Sequence, residues 1–404
     1  MRVQPWLLHG QRQGVVHVQA SQAFSVSLTT AATVLEFEGG ERVALPALAR
    51  KRWYEVRVVL QQDSVTFMSL PLDRPGDAKQ ASFNQPRAAN GVMKRVLLGA
   101  GWDAQAQQAA GFFNGRLEDP AVLAGAHLQR AALDLEAMDK SAVCHWWDFS
   151  AGIPGQGFCD RAQKGATGRF VNLPTRGVCG SRWSGSEMNW MHAPRDYAAV
   201  HFHEDDLYDC GWDTDFEARI PDALESGIYA IRLRCGRNED VIPIYVLPAP
   251  QALRKPVALL VPTFTYQVYA NFDRANFDAA YRQRREAWGA YPHHPAEHRE
   301  YGYSTYARHR DGSGVSLSSR RRPILTDRPG YLAYVDAKGS GIRHLSADMH
   351  LVDWLTCRSG HPGLGIGCGR VLPHAGRRVR RPVATQPQAS AAVGRGRDDR
   401  AGLF

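Results

Sequence analysis

The residues whose side chains could bind a metal or catalyse a reaction include the histidines and carboxylates of the segment HFHEDD (201–206). His201 and His203 are two residues apart, so on a strand both imidazoles would lie on the same face. Two imidazoles and a nearby carboxylate such as Glu204 would suit zinc or non-haem iron. Alternatively, these side chains only make hydrogen bonds at the end of a strand, and the sequence identifies no distant third ligand.

A second group consists of tyrosines: Tyr266 and Tyr269 after the apolar run VALLVPTF (257–264), and Tyr301, Tyr303 and Tyr306 in EYGYSTYARHRDGSG (300–314). Ligands of open α/β sheets bind at the carboxyl ends of the strands. Phenolate is a hard oxygen donor, and a ferric ion would lower its pKa. Loop tyrosines more often pack their rings and donate one hydrogen bond, so both interpretations stay open.

Four histidines of the polar segment near these tyrosines are interpreted as belonging to a solvated loop: His293, His294, His298 and His309. The glycine-rich string GLGIGCG (363–369) follows no predicted strand, so we expect no phosphate-binding loop there. No GxSxG, Walker, GxGxxG or HExxH motif is present.

Composition excludes several classes of protein. Hydrophobic residues make up 44% and charged residues 22%, as in packed domains, and no apolar run is long enough to span a membrane. Nine arginines and two aspartates after Thr356 account for seven of the nine net positive charges, so the charge does not predict nucleic-acid binding. The seven cysteines form no CxxC pair and the first residues resemble no signal peptide, which predicts reduced thiols and a cytoplasmic protein.

The elements that must position these residues change along the chain. Alternating apolar residues predict a β-sandwich over 1–140, with a helical segment from His127 to Met138. Residues 141–250 read as a second β-rich region. Over 255–355 we expect an incomplete α/β domain: a strand at 257–264 buried on both faces, a helix from near Asp273, and a helix at 346–355 with Ser346 as its N-cap.

Residues 356–404 differ in composition from the rest of the chain. They contain no Lys, Glu, Tyr or Trp and are rich in Gly, Ala, Pro and Arg. The change falls at Leu355, within an amphipathic helix and without a stop signal. We interpret this tail as out of frame or truncated sequence, with a natural disordered basic tail as the alternative.

Five strings resemble the large (beta) subunit of N,N-dimethylformamidase, in that family's order and over most of residues 110–355: VNLPTRGVCGSRWSGSEMNW, APRDYAAVHFHEDDLYDCGW, LLVPTFTYQVYAN, YSTYARHRDGSGV and SADMHLVDWL. The resemblance implies a concanavalin- or laminin-G-like jelly roll, a β-rich middle region and a glutamine-amidotransferase-like α/β domain. It also implies hydrolysis of small N-substituted formamides to formate and an amine, a small partner subunit and a homo-oligomer of the large subunit.

The family's metal is a mononuclear ferric ion held by two tyrosines and one glutamate, which would polarise the amide carbonyl and lower the pKa of a bound water. By resemblance one tyrosine ligand is Tyr266, with Tyr269 as its competitor, and the second is Tyr306. The glutamate belongs to an HPEY-type motif that this sequence lacks, since His361 and Pro362 are followed by Gly363. We therefore expect that the chain as written neither binds iron tightly nor hydrolyses formamides.

Two other functions compete with this one. A chain composed mainly of β-sandwich could be a lectin-like carbohydrate-binding protein. A metal-dependent enzyme could instead be built on His201 and His203.

Overall fold

A computed structural model describes residues 1–20, 23–84, 93–162, 165–251, 258–334, 341–358 and 365–368, with the backbone alone for 356–358 and 365–368. The chain forms two compact units. The first comprises Met1–Asp206 and Arg310–Gly312, and the second comprises Leu207–His309 and residues from Ser313 on. The predicted β-rich, multidomain organisation is confirmed at this level. No helix within these ranges is long and apolar enough to cross a membrane.

The first unit consists of short strands, which are β1 (Arg2–Pro5), β2 (Gln13–Gln19), β3 (Phe24–Leu28), β4 (Ala32–Phe37), β5 (Arg42–Pro46), β6 (Tyr54–Leu60), β7 (Ser64–Pro71), β8 (Lys79–Asn84), β9 (Arg95–Leu98), β10 (Gly101–Asp103), β11 (Gln108–Ala110), β12 (Gly115–Glu118), β13 (Ala121–Leu123), β14 (Val143–Trp146), β15 (Gly157–Phe158), β16 (Gly168–Arg169), β17 (Thr175–Val178) and β18 (Ala199–Phe202). Valine and other β-branched or aromatic residues dominate several of them, as expected for strands on a packed sheet.

Two antiparallel sheets share one hydrophobic core. The larger has the order β17-β18-β12-β1-β6-β7-β8, and the smaller has the order β5-β4-β3-β2-β9. Phe67 and Leu117 of the larger sheet and Val26 and Leu35 of the smaller sheet belong to the same buried cluster. Side chains of two facing sheets that interdigitate in this way form a β-sandwich. In the larger sheet, β12 lies between β1 and β18.

The predicted helix from His127 to Met138 is wrong, because a buried ion pair uses the backbone of this segment. Glu55 and Arg57 lie on β6, buried, with 2.6 Å between Arg57 Nε and Glu55 Oε1. Arg57 donates to the carbonyls of residues 127, 129 and 131, and Glu55 accepts the N–H of Leu133. In a helix these carbonyls would accept from N–H groups four residues later. The charged pair requires these hydrogen bonds when it is buried.

The second unit contains β19 (Gly227–Cys235), β20 (Asn238–Val246), β21 (Ala258–Val261), α1 (Thr263–Val268), α2 (Ala279–Ala287), α3 (His344–Arg358) and β22 (Gly365–Cys368). β19 and β20 form an antiparallel hairpin within the predicted β-rich region, and the hairpin turns at Gly236 with φ 61°. A small core joins Val261, Tyr266, Leu345 and Val352, with partly buried residues of the hairpin against it. α1, α3, β21 and the hairpin therefore bury one common apolar surface.

Two predictions for this unit are wrong. The strand predicted at 257–264 is the shorter β21, and Leu260 is 69% exposed, since the sheet described here has only β21 and β22. The helix expected near Asp273 begins at Ala279, with Asp278 accepting the N–H of Tyr281 as N-cap. Residues 274 and 275 have φ of 55° and 52°, a left-handed conformation that no α-helix continues.

The helix predicted at 346–355 is confirmed as α3, although it begins at His344 and continues to Arg358, past the compositional change at Leu355. Ser346 lies within the helix and donates its hydroxyl to the carbonyl of Arg328, so it is not the N-cap.

Within the predicted tail, Gly365–Cys368 pairs in parallel with β21, which composition alone did not indicate. Most of 356–404 lies outside the described residues, and the domain boundaries at 140, 250 and 355 stay predictions.

The ion pair on β6 makes a stability prediction. Arg57→Met should lower the free energy of unfolding by about 3 kcal/mol, because it leaves the Glu55 carboxylate buried and unpaired. Chemical denaturation followed by circular dichroism measures this loss. Arg52→Met is the matched control, since its partner Asp73 is exposed, and it should change stability much less. Equal effects of the two substitutions would contradict the interpretation.

Candidate active site

Tyr266 and Tyr269 lie directly after the carboxyl end of β21. Pro262 separates the strand from α1, which carries Tyr266, and Tyr269 is the residue that follows the helix. The backbone N–H of Tyr269 donates to the carbonyl of Thr265, which completes the last turn. Strand and helix therefore place both tyrosines where the end-of-strand pattern predicted them.

Tyr306 reaches the same place from a distant loop. The hydroxyls of Ser304 and Thr305 both donate to the carbonyl oxygen of Val268, at 3.0 and 2.7 Å. The Tyr306 ring then stacks on that of Tyr269, with centroids 4.3 Å apart and planes 13° apart. The second unit thus brings together two of the three candidate tyrosine ligands.

The Tyr269–Tyr306 pair is accessible, and the Tyr269 phenol is protonated at pH 7. Tyr306 is 55% exposed, and Tyr269 is half-buried. A hydrogen bond with Tyr306 is the main cause that raises the pKa of the Tyr269 phenol above its usual value. Two phenol oxygens that hydrogen-bond to each other are also close enough to bind one cation once their protons are displaced.

Tyr266 has a different environment. Its ring is 2% exposed, and its hydroxyl donates to the carboxylate of Asp348 on α3. Burial, followed by the hydrogen bond to Asp348, raises the pKa of the Tyr266 phenol far above its usual value. Ionisation would place a phenolate beside a carboxylate, so this geometry favours a structural tyrosine that joins α1 to α3.

His344 is a candidate that sequence reasoning missed. It begins α3 with φ 53°, and its ring lies 4.8 Å from that of Tyr269 and 6.0 Å from that of Tyr266. Its Nε2 is buried without a hydrogen-bond partner among the described residues, and burial lowers its pKa, so the imidazole is neutral at pH 7. The sequence did carry a signal: His344 and Asp348 are four residues apart, which puts them on one helix face.

The donor set can be compared with the ferric ion that the resemblance implies. The described residues provide two adjacent phenols and one unpartnered imidazole nitrogen beside them. Asp348 is the carboxylate on this face of α3, and the Tyr266 hydroxyl already occupies it. No glutamate of an HPEY-type motif occurs in the sequence. These residues therefore do not complete a set of two phenolates and one glutamate.

A pocket of the second unit borders Tyr266 on the side of the hairpin. Its lining combines aromatic and basic side chains, including Trp212, Tyr245, Tyr266, Arg322 and Arg328. The buried Arg328 guanidinium is paired with Asp240, at 3.0 Å between Nε and Oδ1.

Of the other candidate residues in the second unit, His294 and Tyr301 are buried and Tyr303 is partly buried. The interpretation of His294 and His309 as part of a solvated loop is wrong, because they are 1% and 7% exposed. The His294 ring stacks on that of Phe277, with centroids 4.6 Å apart. In the first unit, His201 and His203 lie side by side on the end of β18, with ring centroids 4.2 Å apart. Burial lowers the pKa of His201 to about 4.

Comparison with known proteins decides the family. Residues 175–363 match the family described as N,N-dimethylformamidase beta subunit-like, C-terminal. The N,N-dimethylformamidase beta subunit of Paracoccus aminophilus is 36% identical over 321 residues, which cover 75% of this chain. That of an Alcaligenes species is 34% identical over 330 residues, which cover 77% of this chain.

The chain belongs to the N,N-dimethylformamidase beta subunit family. The resemblance predicted from the sequence strings is thereby confirmed, and neither relative supports the lectin-like alternative. The match to the family runs to residue 363, beyond Leu355. The chain spans about two fifths of the length of these curated relatives, 41% and 42%.

Burial of His294 predicts a dependence of stability on pH. Burial lowers the pKa of His294 to about 4, with Asp273 and Glu297 opposing the shift, and its Nδ1 accepts the N–H of Ala296. Above pH 6.5 the imidazole is neutral in both the folded and unfolded chain. As the pH falls from 6.5 to 4, only the unfolded chain takes up the proton, so stability falls by up to about 3 kcal/mol.

Denaturation midpoints measured at pH 7 and pH 4.5 test this. His294→Gln should reduce the pH dependence relative to the unsubstituted chain. The exposed His192 serves as the control, and His192→Gln should leave the dependence unchanged. An unchanged pH dependence in His294→Gln would show that other groups cause it.

Proposed function

We propose that this chain carries the tyrosine part of an amide-hydrolase site of the N,N-dimethylformamidase type. The substrates would be small N-substituted formamides, whose C–N bond is hydrolysed to formate and an amine. The chain as written would lack the carboxylate that completes the site, and it would therefore bind ferric iron weakly and turn over no amide.

The observation that carries this proposal is the Tyr269–Tyr306 pair. The two phenols stack at 4.3 Å and are held by the hydroxyls of Ser304 and Thr305 at the end of α1. We propose Tyr269 and Tyr306 as the phenolate donors, so that Tyr269 takes the place first given to Tyr266. Tyr266 would then be a positioning residue, because its hydroxyl is engaged with Asp348.

Residues around the Tyr269–Tyr306 pair suggest how its phenolates would form. The Arg274 guanidinium lies 5.8 Å from the Tyr269 ring and 5.0 Å from the Phe272 ring. A cation in this position stabilises negative charge that develops on a neighbouring phenol. The unpartnered Nε2 of His344 can accept a proton or serve as a nitrogen ligand. These residues would lower the free energy of forming the phenolates.

The same proposal extends to fold and assembly. The two antiparallel sheets with one core support a concanavalin- or laminin-G-like jelly roll in the first unit. β21 followed by α1 and paired in parallel with β22 supports the start of a glutamine-amidotransferase-like domain. The relatives are named beta subunits, which supports a partner subunit for this chain too. A small size of that partner and a homo-oligomer of the large subunit are proposed from the resemblance alone. A cytoplasmic location rests on the free cysteines.

Titration of the purified full chain with ferric ion tests the site. We expect a phenolate-to-iron absorption band only with excess iron, and loss of the iron on gel filtration. Tyr269→Phe and Tyr306→Phe should each abolish the band. Tyr303→Phe, in the same loop, is the matched control and should keep it, as should Tyr266→Phe. A band that depends on Tyr266 instead of Tyr269 would overturn the assignment, and so would no band at any iron concentration.

Activity gives a separate readout. We expect no dimethylamine from N,N-dimethylformamide, whether or not iron is present. Stoichiometric iron that stays bound, together with turnover, would contradict the proposal that the site is incomplete. Circular dichroism of each variant shows whether the fold is kept, since removal of the Tyr266 hydroxyl leaves a buried acceptor and costs about 1–3 kcal/mol.

A further inference from the structure

Two histidines and one aspartate of the first unit converge on a common point that the proposed amide-hydrolase site does not use. His201 lies on β18, and His203 follows two residues later on the same face. The third member is Asp311, 110 residues after His201. The side chains of all three are almost fully buried. Asp311 is thus a distant carboxylate beside the two imidazoles, which the sequence did not identify.

We propose that His201, His203 and Asp311 bind one divalent transition-metal ion of the zinc class, through the two Nε2 atoms and Oδ2 of the carboxylate. Two imidazoles and one carboxylate are a ligand set that Zn²⁺ and Fe²⁺ accept in proteins. The potential ligand atoms of the three residues lie within 4.8 Å of one another. The site would be independent of the tyrosine cluster in the second unit.

Of the two histidine distances to Asp311, one suits a shared ion and the other suits a hydrogen bond. His203 Nε2 lies 3.7 Å from Asp311 Oδ2, too far for a hydrogen bond. Two ligand atoms that are each about 2.1 Å from a tetrahedral ion are about 3.4 Å apart. His201 Nε2 is hydrogen-bonded to the same oxygen at 2.7 Å and would move away by about 0.7 Å on binding.

His203 also has the second partner expected of a metal ligand. Its Nδ1 lies 3.1 Å from Asp206 Oδ1, and its backbone N–H donates to Oδ2 of the same carboxylate. When Nδ1 carries the proton, the lone pair is on Nε2, which faces Asp311. A carboxylate that holds the far nitrogen in this way orients a metal-bound histidine and raises its basicity.

Asp311 is held in place by its neighbours. Arg310 pairs with Glu204, at 2.7 Å between Nη1 and Oε1, and its backbone N–H donates to the carboxylate of Asp205. Gly312, with φ 88°, provides a turn that other residues rarely adopt. These contacts explain why residues 310–312 pack with the first unit, and they pre-position the carboxylate before a metal binds.

A second histidine–carboxylate pair of the same unit provides a contrast. His145 Nδ1 lies 2.6 Å from Asp160 Oδ2, and no second histidine joins this pair within the described residues. It stabilises the fold as a hydrogen bond. Its variants therefore report what the loss of an ordinary histidine–aspartate contact does, without the loss of a metal ligand.

The experiment uses the full chain, stripped with a chelator and titrated separately with Zn²⁺ and Co²⁺. We expect one ion per chain by elemental mass spectrometry, a rise in Tm on binding, and visible d–d absorption with Co²⁺. His203→Gln and Asp311→Asn should lower the affinity at least 100-fold. Asp206→Asn, which keeps an acceptor for Nδ1, should lower it by about 10–100-fold.

Controls separate this site from the tyrosine cluster. His145→Gln and Asp160→Asn should lower Tm but keep the metal stoichiometry, and Tyr269→Phe should leave Co²⁺ absorption unchanged. No Zn²⁺ or Co²⁺ bound by the folded, unsubstituted chain would overturn the proposal, and so would equal affinity in the unsubstituted chain and Asp206→Asn. Circular dichroism identifies variants that fail to fold. If His203→Gln or Asp311→Asn fails to fold, the metal affinity of Asp206→Asn decides the test.

Discussion

α1 ends at Val268, and the carbonyl oxygen of this residue is the acceptor on which the tyrosine cluster depends. A carbonyl in the last turn of a helix has no partner within the helix. Here the hydroxyls of Ser304 and Thr305 supply two donors, although they lie 36 and 37 residues later in the chain. Tyr306 is the next residue, and Tyr269 follows Val268. The free end of a short helix thus decides which tyrosine rings meet.

The tyrosines next to this helix end differ in the free energy needed to ionise them. Tyr266 is buried against Asp348, and loss of its proton would place two negative charges in contact. Tyr269 and Tyr306 form a more exposed pair with the Arg274 guanidinium over the Tyr269 ring. A cation can therefore displace the protons of this pair more readily. Electrostatics, more than position in the sequence, separates the proposed ligands from the structural tyrosine.

Buried charge also organises the first unit. Arg57 donates hydrogen bonds to backbone carbonyls between residues 127 and 131, and Glu55 accepts the N–H of Leu133, so that segment is irregular instead of helical. The carboxylate of Asp311 is buried beside two imidazoles in a similar way. A buried charge needs hydrogen-bonding or ionic partners. The Glu55–Arg57 pair therefore fixes the position of residues 127–133, and the contact of Asp311 with His201 fixes the position of the segment around Asp311. The segment around Asp311 differs because it also contributes a potential metal ligand.

Local sequence patterns were enough to predict several strands, one helix and the family of this protein. Alternating apolar residues predicted strands over residues 1–140, and an amphipathic pattern predicted the helix at 346–355, because these patterns reflect burial on one face. Motif strings identified the family and its candidate tyrosines. Only the tertiary structure paired Tyr269 with Tyr306, placed His344 beside them and brought Asp311 to His201. It also overrode the helical pattern after His127. These outcomes depend on hydrogen bonds and ion pairs between residues far apart in the chain. Such contacts produce no periodic pattern in the sequence from which they could be predicted.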